Sequence, residues 1–274
     1  NDAPVRAFRV NTDKISIEDF EKINTFSKEK IPYVENGFYF DYDKIGNHPY
    51  HHAGMIYIQE PGAMAPAECV AIDPDWTVLD MCSAPGGKSS QLRNKLGENG
   101  VLVSNEIIPS RCKILTGNIE RLGLKNTVTT CTDTGKLAKI FPDTFDLIMV
   151  DAPCSGEGMF RKEDIAIEEW SPENVEKCAE RQREILENAS ICLKNGGYIV
   201  YATCTFSLEE NEITQLFWGL VPIQRGLSLF YYTRLSDYSR ILASLKYANR
   251  PEIGEHMGRI MAEEFQRHGF FQGI

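Results

Sequence analysis

Between residues 77 and 204 the chain alternates short apolar runs with amphipathic stretches, and this alternation restricts the fold more than any other feature. The strand candidates are Thr77–Met81, Val101–Asn105, Thr127–Thr130, Phe145–Val150 and Tyr198–Ala202. The clearest helix candidate runs from Pro172 to Leu193, with Ser171 as its cap and Asn195-Gly-Gly197 as its stop. Strands that alternate with helices are typical of a parallel sheet covered on both faces. The sequence therefore predicts an α/β fold built on a doubly wound, Rossmann-like sheet.

The regions on either side of this alternation predict three parts. Residues 1–70 are interpreted as an N-terminal extension packed on the domain that follows, and residues 71–212 as that Rossmann-like domain. Residues 213–274 contain only short apolar stretches and one amphipathic helix candidate, around His256–His268. We interpret this C-terminal segment as part of a separate or incomplete domain.

Composition narrows the class of protein. The sequence has no apolar run of about 18 residues and no basic-then-apolar order at its start, so we expect a cytosolic protein without a membrane anchor. Its eight cysteines include no Cys-x-x-Cys pair, which argues against a disulfide framework. The net charge of −10 argues against a free-standing nucleic-acid binder, although it leaves room for a local basic cleft.

Two of the cysteines follow predicted strands directly. Cys154 stands in Asp151-Ala-Pro-Cys, just after one strand, and Cys204 stands in Thr-Cys-Thr, just after another. Ligands of open parallel sheets bind in the crevice outside the carboxyl ends of the strands. We therefore expect both thiols and the carboxylate of Asp151 to share one cleft, a combination that suggests covalent chemistry.

A glycine turn follows the first strand of the alternation, in Asp80-Met-Cys-Ser-Ala-Pro-Gly-Gly-Lys88. The phosphate-binding loop of nucleotide hydrolases would need a glycine where Cys82 stands, and the dinucleotide fingerprint Gly-x-Gly-x-x-Gly is absent. What remains is a nucleoside site without a pyrophosphate cradle. This favours S-adenosylmethionine over NAD or ATP.

Acidic residues follow three successive strands. Glu106 could accept hydrogen bonds from both ribose hydroxyls and Asp133 could bind the adenine amino group, whereas each acid alone could equally be a helix cap. Three acids at strand ends, counting Asp151, favour a ligand site. The predicted cofactor-binding residues are Cys82, Ser83, Ala84, Pro85, Gly86, Gly87, Lys88, Glu106, Arg111, Asp133 and Asp151.

Three motifs together resemble a known family. Asp80-Met-Cys-Ser-Ala-Pro-Gly-Gly-Lys88, Asp151-Ala-Pro-Cys-Ser-Gly-Glu-Gly158 and Tyr201-Ala-Thr-Cys-Thr205, in this order, resemble the Sun-type RNA (cytosine-5) methyltransferases. Gly156-Glu-Gly-Met-Phe-Arg-Lys162 is most similar to the bacterial 16S ribosomal RNA methyltransferase F subgroup. The resemblance covers about residues 30–212 and does not extend to the C-terminal segment.

The resemblance implies a role for each reactive residue. Cys204 would be the nucleophile that adds to C6 of cytosine, and Cys154 would assist release of the methylated product. Asp151 would hold the cytosine edge near N3 and the exocyclic amine, and Lys88 would orient the substrate or this carboxylate.

The resemblance also implies an RNA substrate, namely ribosomal RNA, whose target base is single-stranded or flipped out. Phe160 could stack on a base, and Arg161 and Lys162 could contact phosphates, although each could equally belong to a solvated loop. Two alternatives stay open. One is a transfer RNA (cytosine-5) methyltransferase, and the other is a non-catalytic RNA-binding factor of ribosome assembly.

Two further site types are disfavoured. His48, His51 and His52 lack a supporting Cys or carboxylate ligand set, so we expect no metal and interpret residues 48–52 and 57–61 as a wall of the active site. A cysteine hydrolase needs a base beside its thiol, yet no histidine occurs between His52 and His256.

Overall fold

The computed structural model of the chain describes residues 5–160, 164–214, 221–225 and 228–233. Its first part is an antiparallel four-stranded sheet of order β2-β3-β1-β4. The strands are β1 (Ala7–Val10), β2 (Ser27–Lys30), β3 (Gly37–Phe40) and β4 (Ile56–Ile58), and the helices beside them are α1 (Ile17–Ile23), α2 (Pro49–His52) and α3 (Pro61–Met64). Buried aromatic rings, among them Phe8, Phe20 and Phe38, fill the core of this part.

The second part is a larger sheet whose five central strands run parallel in the order β9-β8-β5-β6-β7. The strands are β5 (Thr77–Asp80), β6 (Val101–Asn105), β7 (Thr127–Thr130), β8 (Phe145–Asp151) and β9 (Leu193–Ala202). The helices are α4 (Gly87–Lys95), α5 (Pro109–Leu122), α6 (Thr134–Ile140), α7 (Asp164–Glu169) and α8 (Pro172–Cys192). The predicted Rossmann-like α/β sheet is confirmed.

Both faces of this sheet are covered, which explains why its strands are apolar on both sides. Leu137 of α6 and Leu186 of α8 pack on one face. Leu92 of α4 packs on the other, with Ala67 and Val70 from the segment before β5. Burial of both faces leaves the carboxyl ends of the strands as the open edge where loops can carry polar groups.

Local signals place the ends of α8. The Ser171 hydroxyl accepts a hydrogen bond from the backbone N–H of Asn174, and Pro172 occupies the first turn. The helix ends at Cys192, and β9 begins at once, with Leu193 opposite Phe145 and Tyr198 opposite Leu147. The glycines that we expected to stop the helix therefore lie in an irregularity inside the strand, where Gly196 has a φ of +81°.

Part of the C-terminal segment lies within the described residues. Strands β10 (Val221–Arg225) and β11 (Ser228–Thr233) form an antiparallel pair, and β11 pairs with β9. They extend the main sheet and cover the edge of β9. The helix predicted around residues 256–268 lies outside the described residues. Among the helices in the described ranges, none has the length and apolar character needed to span a bilayer.

Candidate active site

A cavity of about 1400 Å³ opens at the carboxyl ends of the parallel strands. A pocket for one drug-sized ligand typically measures roughly 300–1,000 Å³, so this cavity has room for a nucleoside cofactor together with a base. Ten residues predicted from the sequence line it: Cys82, Ala84, Lys88, Glu106, Arg111, Asp133, Asp151, Cys154, Phe160 and Cys204. Four predicted cofactor residues do not line it: Ser83, Pro85, Gly86 and Gly87.

Those four residues belong to the glycine turn itself, whose shape is fixed by hydrogen bonds within it. The Ser83 hydroxyl donates to the carbonyl of Asp80 at 2.6 Å, and the N–H of Gly86 donates to the carbonyl of Ser83 at 2.7 Å. Gly86 has a φ of +108°, and a Cβ there would come within 3.1 Å of the Leu115 side chain. A glycine is needed at this position on both grounds, because it alone combines the left-handed backbone with the absence of a side chain.

The N-terminal sheet reaches the same turn through Arg9, which is 1% exposed. Its guanidinium donates to the Gly87 carbonyl at 2.7 Å, to the Ser90 hydroxyl at 2.6 Å and to the Gln59 side chain at 2.8 Å. Burial lowers the pKa of Arg9 to about 10. The three charge-assisted bonds offset the cost of burying this cation and fix the N-terminal part against the start of α4.

Two acidic residues lie at the cofactor end of the cavity. Glu106 is 4% exposed, and its carboxylate accepts from the N–H of Ile108 at 3.0 Å and lies 3.5 Å from the Arg111 guanidinium. Arg111 also donates to the Ala84 carbonyl at 2.9 Å, which ties the turn to α5. A buried carboxylate beside the glycine turn fits the hydroxyls of a ribose.

Asp133 combines the two interpretations that the sequence left open. Its side chain caps α6 by accepting from the N–H of Lys136 at 2.9 Å, and it also lines the cavity. The hydrogen bond from that N–H lowers the pKa of Asp133, so the group stays ionised. A helix cap and a ligand contact are thus compatible at this residue.

The two thiols meet at the other end of the cavity. Strands β8 and β9 pair in parallel with Asp151 opposite Ala202, so the loops that follow them are neighbours. The Cys154 and Cys204 sulfur atoms lie 3.1 Å apart, and the backbone N–H of Cys204 points to the Cys154 sulfur at 3.4 Å. Both cysteines are free thiols in hydrogen-bond contact.

The hydrogen bond between the sulfurs shifts the pKa values of the two thiols in opposite directions. A hydrogen bond from the Cys154 thiol lowers the pKa of Cys204, with a further contribution from the Lys88 ammonium. The same hydrogen bond, followed by burial, raises the pKa of Cys154. Cys204 is therefore the sulfur that more readily becomes a thiolate, the form in which a cysteine is nucleophilic.

Lys88 and Asp151 form an ion pair beside the thiols. The Lys88 Nζ donates to the Asp151 Oδ2 at 2.6 Å, and the side chains are 11% and 37% exposed. The lysine comes from the first turn of α4 and the aspartate from the end of β8. The structure thus brings together the four residues to which the sequence assigned the reaction.

Two family models match the chain. Residues 67–216 match the family model of 16S rRNA methyltransferase RsmB/F, and residues 1–61 match that of the N-terminal domain of 16S rRNA methyltransferase RsmF. The chain belongs to the RsmB/F methyltransferase family.

Two curated relatives have the same name. Ribosomal RNA small subunit methyltransferase F of Vibrio cholerae serotype O1 (strain M66-2) is 41% identical over 225 residues, which are 78% of this chain and 47% of the relative. The protein of that name from Aliivibrio fischeri (strain MJ11) is 42% identical over 217 residues, which are 76% of this chain and 46% of the relative. The chain spans about half the length of the curated relatives it matches.

Solved structures agree on the fold. A methyltransferase homolog protein from Pyrococcus horikoshii superimposes with a TM-score of 0.72 and 31% identity, over 82% of this chain and 74% of that one. NSun6 from Pyrococcus horikoshii superimposes with a TM-score of 0.72 over 85% of this chain and 91% of that one. The second is 20% identical and supports the fold alone.

Two residues at the RsmB/F-type site were not predicted from the sequence: Asp80, which precedes the lining residue Met81, and Phe206, which itself lines the cavity. Asp80 ends β5 and is fully buried, and burial raises its pKa to about 7 while Ser89 donates to its Oδ2 at 2.6 Å. The rule that pointed to Glu106, an acid at a strand end, also applied to Asp80. Phe206 lines the cavity with 59% of its surface exposed, and only its proximity to Cys204 could have indicated it.

The predicted RNA contacts have different outcomes. Phe160 lines the cavity and packs edge-on against Trp170, with 6.5 Å between the ring centroids. Arg161 and Lys162 lie outside the described residues. Phe160 therefore stays a candidate for base stacking.

The prediction that residues 48–52 form a wall of the active site is wrong. None of residues 48–52 lines the cavity, because the His48 ring packs among the rings of Phe26 and Tyr50 at 4.9 and 4.5 Å. Glu60 and Pro61, from the end of the same predicted wall, do line it. Within the described part of the chain, no three His, Cys, Asp or Glu side chains are grouped as a metal site would require.

The lowered pKa of Cys204 predicts that its alkylation depends on the presence of Cys154. Iodoacetamide should label Cys204 at lower pH in the native protein than in Cys154→Ala, because that substitution removes the main cause of the lowered pKa of Cys204. At a fixed neutral pH the variant should label Cys204 more slowly, and raising the pH should abolish the difference. Peptide-resolved mass spectrometry measures the profile, and Cys131→Ala, at an exposed cysteine outside the cavity, is the control. Identical Cys204 profiles with and without Cys154 would contradict the assignment.

Proposed function

We propose that this chain is an S-adenosylmethionine-dependent RNA (cytosine-5) methyltransferase that acts on 16S ribosomal RNA through a covalent adduct at Cys204. The observation that carries the proposal is the pair of thiols, 3.1 Å apart, beside the Lys88–Asp151 ion pair in the same cavity as the glycine turn. The names of the curated relatives support the ribosomal substrate. A cytosolic location stays a prediction.

The reaction needs a nucleophile because C5 of cytosine is not reactive enough to take a methyl group unaided. The Cys204 thiolate adds to C6, and the electron pair of the C5–C6 bond moves so that C5 becomes nucleophilic. S-adenosylmethionine supplies the electrophilic methyl group when bound. The lowered pKa of Cys204 fits the first step, because a thiolate must be present before the base is activated.

The remaining residues orient the base and complete the turnover. The Asp151 carboxylate accepts from the exocyclic amine of cytosine, and the Lys88 ammonium fixes that carboxylate through the 2.6 Å bond. After methyl transfer, C5 carries both a hydrogen and the methyl group. Once Cys204 is bonded to C6 it no longer raises the pKa of Cys154, so Cys154 loses its proton to solvent. The Cys154 thiolate then takes the C5 proton, the C5–H electron pair re-forms the C5=C6 double bond, and the electron pair of the C6–S bond returns to the Cys204 sulfur. The methylated base then leaves.

The cofactor end of the cavity predicts a binding defect. Glu106→Ala should weaken S-adenosylmethionine binding by about 1–3 kcal/mol, roughly 5- to 150-fold in Kd, because the ribose hydroxyls lose a buried acceptor. Asp133→Ala should have a smaller effect, since that side chain is 42% exposed and also binds Lys136. Isothermal titration calorimetry measures both. Glu120→Ala, on the exposed face of α5, is the matched control, and equal affinities in all three variants would remove Glu106 from the site.

The substrate is tested by transfer of a tritiated methyl group. The protein should label naked 16S ribosomal RNA or the assembled small subunit, and digestion to nucleosides should give 5-methylcytosine. Label confined to transfer RNA would make the transfer RNA alternative correct. Cofactor binding without label in any RNA would favour the non-catalytic assembly factor.

A further inference from the structure

The loops that carry the two cysteines are joined directly. The hydroxyls of Ser155 and Thr205, each one residue after a cysteine, lie 2.9 Å apart. The N–H of Gly158 donates to the Cys204 carbonyl at 2.7 Å, and a Cβ at Gly158 would come within 2.6 Å of that oxygen. The distance between the thiols is therefore set by contacts between loops rather than by either loop alone.

A buried carboxylate from beyond Cys204 holds the Cys154 loop. Glu210 is 0% exposed, and its Oε2 accepts from the Ser155 N–H at 3.0 Å and from the Gln182 amide at 2.7 Å. The same amide nitrogen donates to the Pro153 carbonyl at 3.0 Å. Cys154 is thus fixed on both sides, at Pro153 and at Ser155.

A second carboxylate, from beyond Cys154, holds the Cys204 loop. The Glu157 Oε2 accepts from the Phe206 N–H at 2.8 Å and from the Thr205 hydroxyl at 3.2 Å. Its other oxygen accepts from the Trp170 indole at 3.1 Å. Each cysteine loop therefore carries, a few residues downstream, the acid that fastens the loop of the other cysteine.

We propose that Glu157 and Glu210 are positioning residues, each for one thiol. Glu157 positions Cys204 for attack on the base, and Glu210 positions Cys154 for release of the product. The proposal rests on the proposed function, because attack and release are steps of that reaction. In attack the C6–S bond forms; in release the C5 proton passes to the Cys154 thiolate as the C6–S pair returns to Cys204. Bonds to a charged carboxylate are strong enough to fix such loops.

These separate roles predict that substitution of Glu210 and substitution of Glu157 have opposite effects on the amount of covalent adduct. In Glu210→Ala the adduct with RNA should still form but persist, so its fraction on a denaturing gel should exceed the native fraction by roughly 10-fold. In Glu157→Ala the adduct and the methylated product should both decline by a similar factor. Glu210→Gln and Glu157→Gln keep a side-chain acceptor for the loop N–H and should restore most of the native behaviour. Gln182→Ala removes the bond to Pro153 and serves if Glu210→Ala does not fold.

Glu187→Ala, at an exposed position on α8, is the control and should match the native protein. Equal losses of adduct and product in both alanine variants would show a merely structural role and overturn the proposal. The Cys154→Ala variant separates this proposal from the proposed function. If Cys154→Ala gives no adduct, the proposed function fails, and thiol labelling without RNA or cofactor then tests the positioning roles of Glu157 and Glu210. In both alanine variants, and not in Glu187→Ala, iodoacetamide labelling of Cys204 should move to higher pH because the contact between the sulfurs loosens. Native labelling profiles in both would overturn it.

Discussion

Cys204→Ala should abolish methyl transfer, with a loss of roughly 10⁴-fold or more in the single-turnover rate. The sulfur supplies the bond that makes C5 nucleophilic, and the other two described thiols that line the cavity, Cys82 and Cys154, both have raised pKa values and so cannot readily replace it. Affinity for S-adenosylmethionine should stay within about twofold, since the thiol takes part in a covalent step and not in nucleoside recognition. Rapid-quench transfer from labelled cofactor and calorimetry measure the two quantities.

Cys131→Ala is the matched control for that experiment. Cys131 is exposed and outside the cavity, so its loss should leave the transfer rate unchanged. A Cys204→Ala variant that retains a substantial part of the native rate would remove the nucleophile from the account. A parallel loss of cofactor affinity would instead indicate that the substitution disturbs the cavity as a whole.

Cys154→Ala should trap the protein on its substrate. The Cys204 thiolate still attacks C6 and the methyl group is still transferred, but no thiolate is in place to remove the C5 proton, so the C6–S bond persists. Incubation with RNA and cofactor should therefore leave most of the variant as a protein–RNA species on a denaturing gel, while multiple turnover falls by roughly 10²-fold or more, the range of a lost general base. The raised pKa of Cys204 in this variant should slow adduct formation at neutral pH without preventing it.

The double variant Cys154→Ala/Cys204→Ala should give no adduct. If the adduct appears instead with Cys204→Ala and disappears with Cys154→Ala, the two thiols exchange roles. The kinship would then be with cytosine methyltransferases whose Pro-Cys thiol is the nucleophile.

The sequence was sufficient for the central sheet because its signals are local. Leu147–Val150 is a continuous apolar run followed by the acid Asp151, and Pro172 after Ser171 is a strong helix start, so each element could be predicted without its neighbours. Cys154 and Cys204 were brought to one cleft by the rule that parallel strands share their carboxyl edge. The 3.1 Å between their sulfurs could not be predicted, since it depends on contacts between the two loops.

Residues that act through tertiary contacts were missed for the same reason. Glu210 resembles any acid of a polar turn in the sequence, and only the fold shows that it is buried against Ser155 and Gln182. Arg9 lies 78 residues before Gly87, and no periodic pattern connects them. The error on the histidines had a different cause, because His48 and Tyr50 were interpreted as lining the site, whereas the fold packs the His48 ring against Phe26 and Tyr50.

The most direct test of covalent catalysis at Cys204 uses RNA in which the target cytosine carries fluorine at C5. Fluorine cannot leave as a proton does, so the reaction should stop after methyl transfer with the base still attached to the sulfur. Protease digestion and mass spectrometry of the trapped species should then identify a methylated fluorocytidine bonded to the peptide that contains Cys204. Attachment to the peptide that contains Cys154, or methylated RNA without any protein bonded to it, would contradict the account.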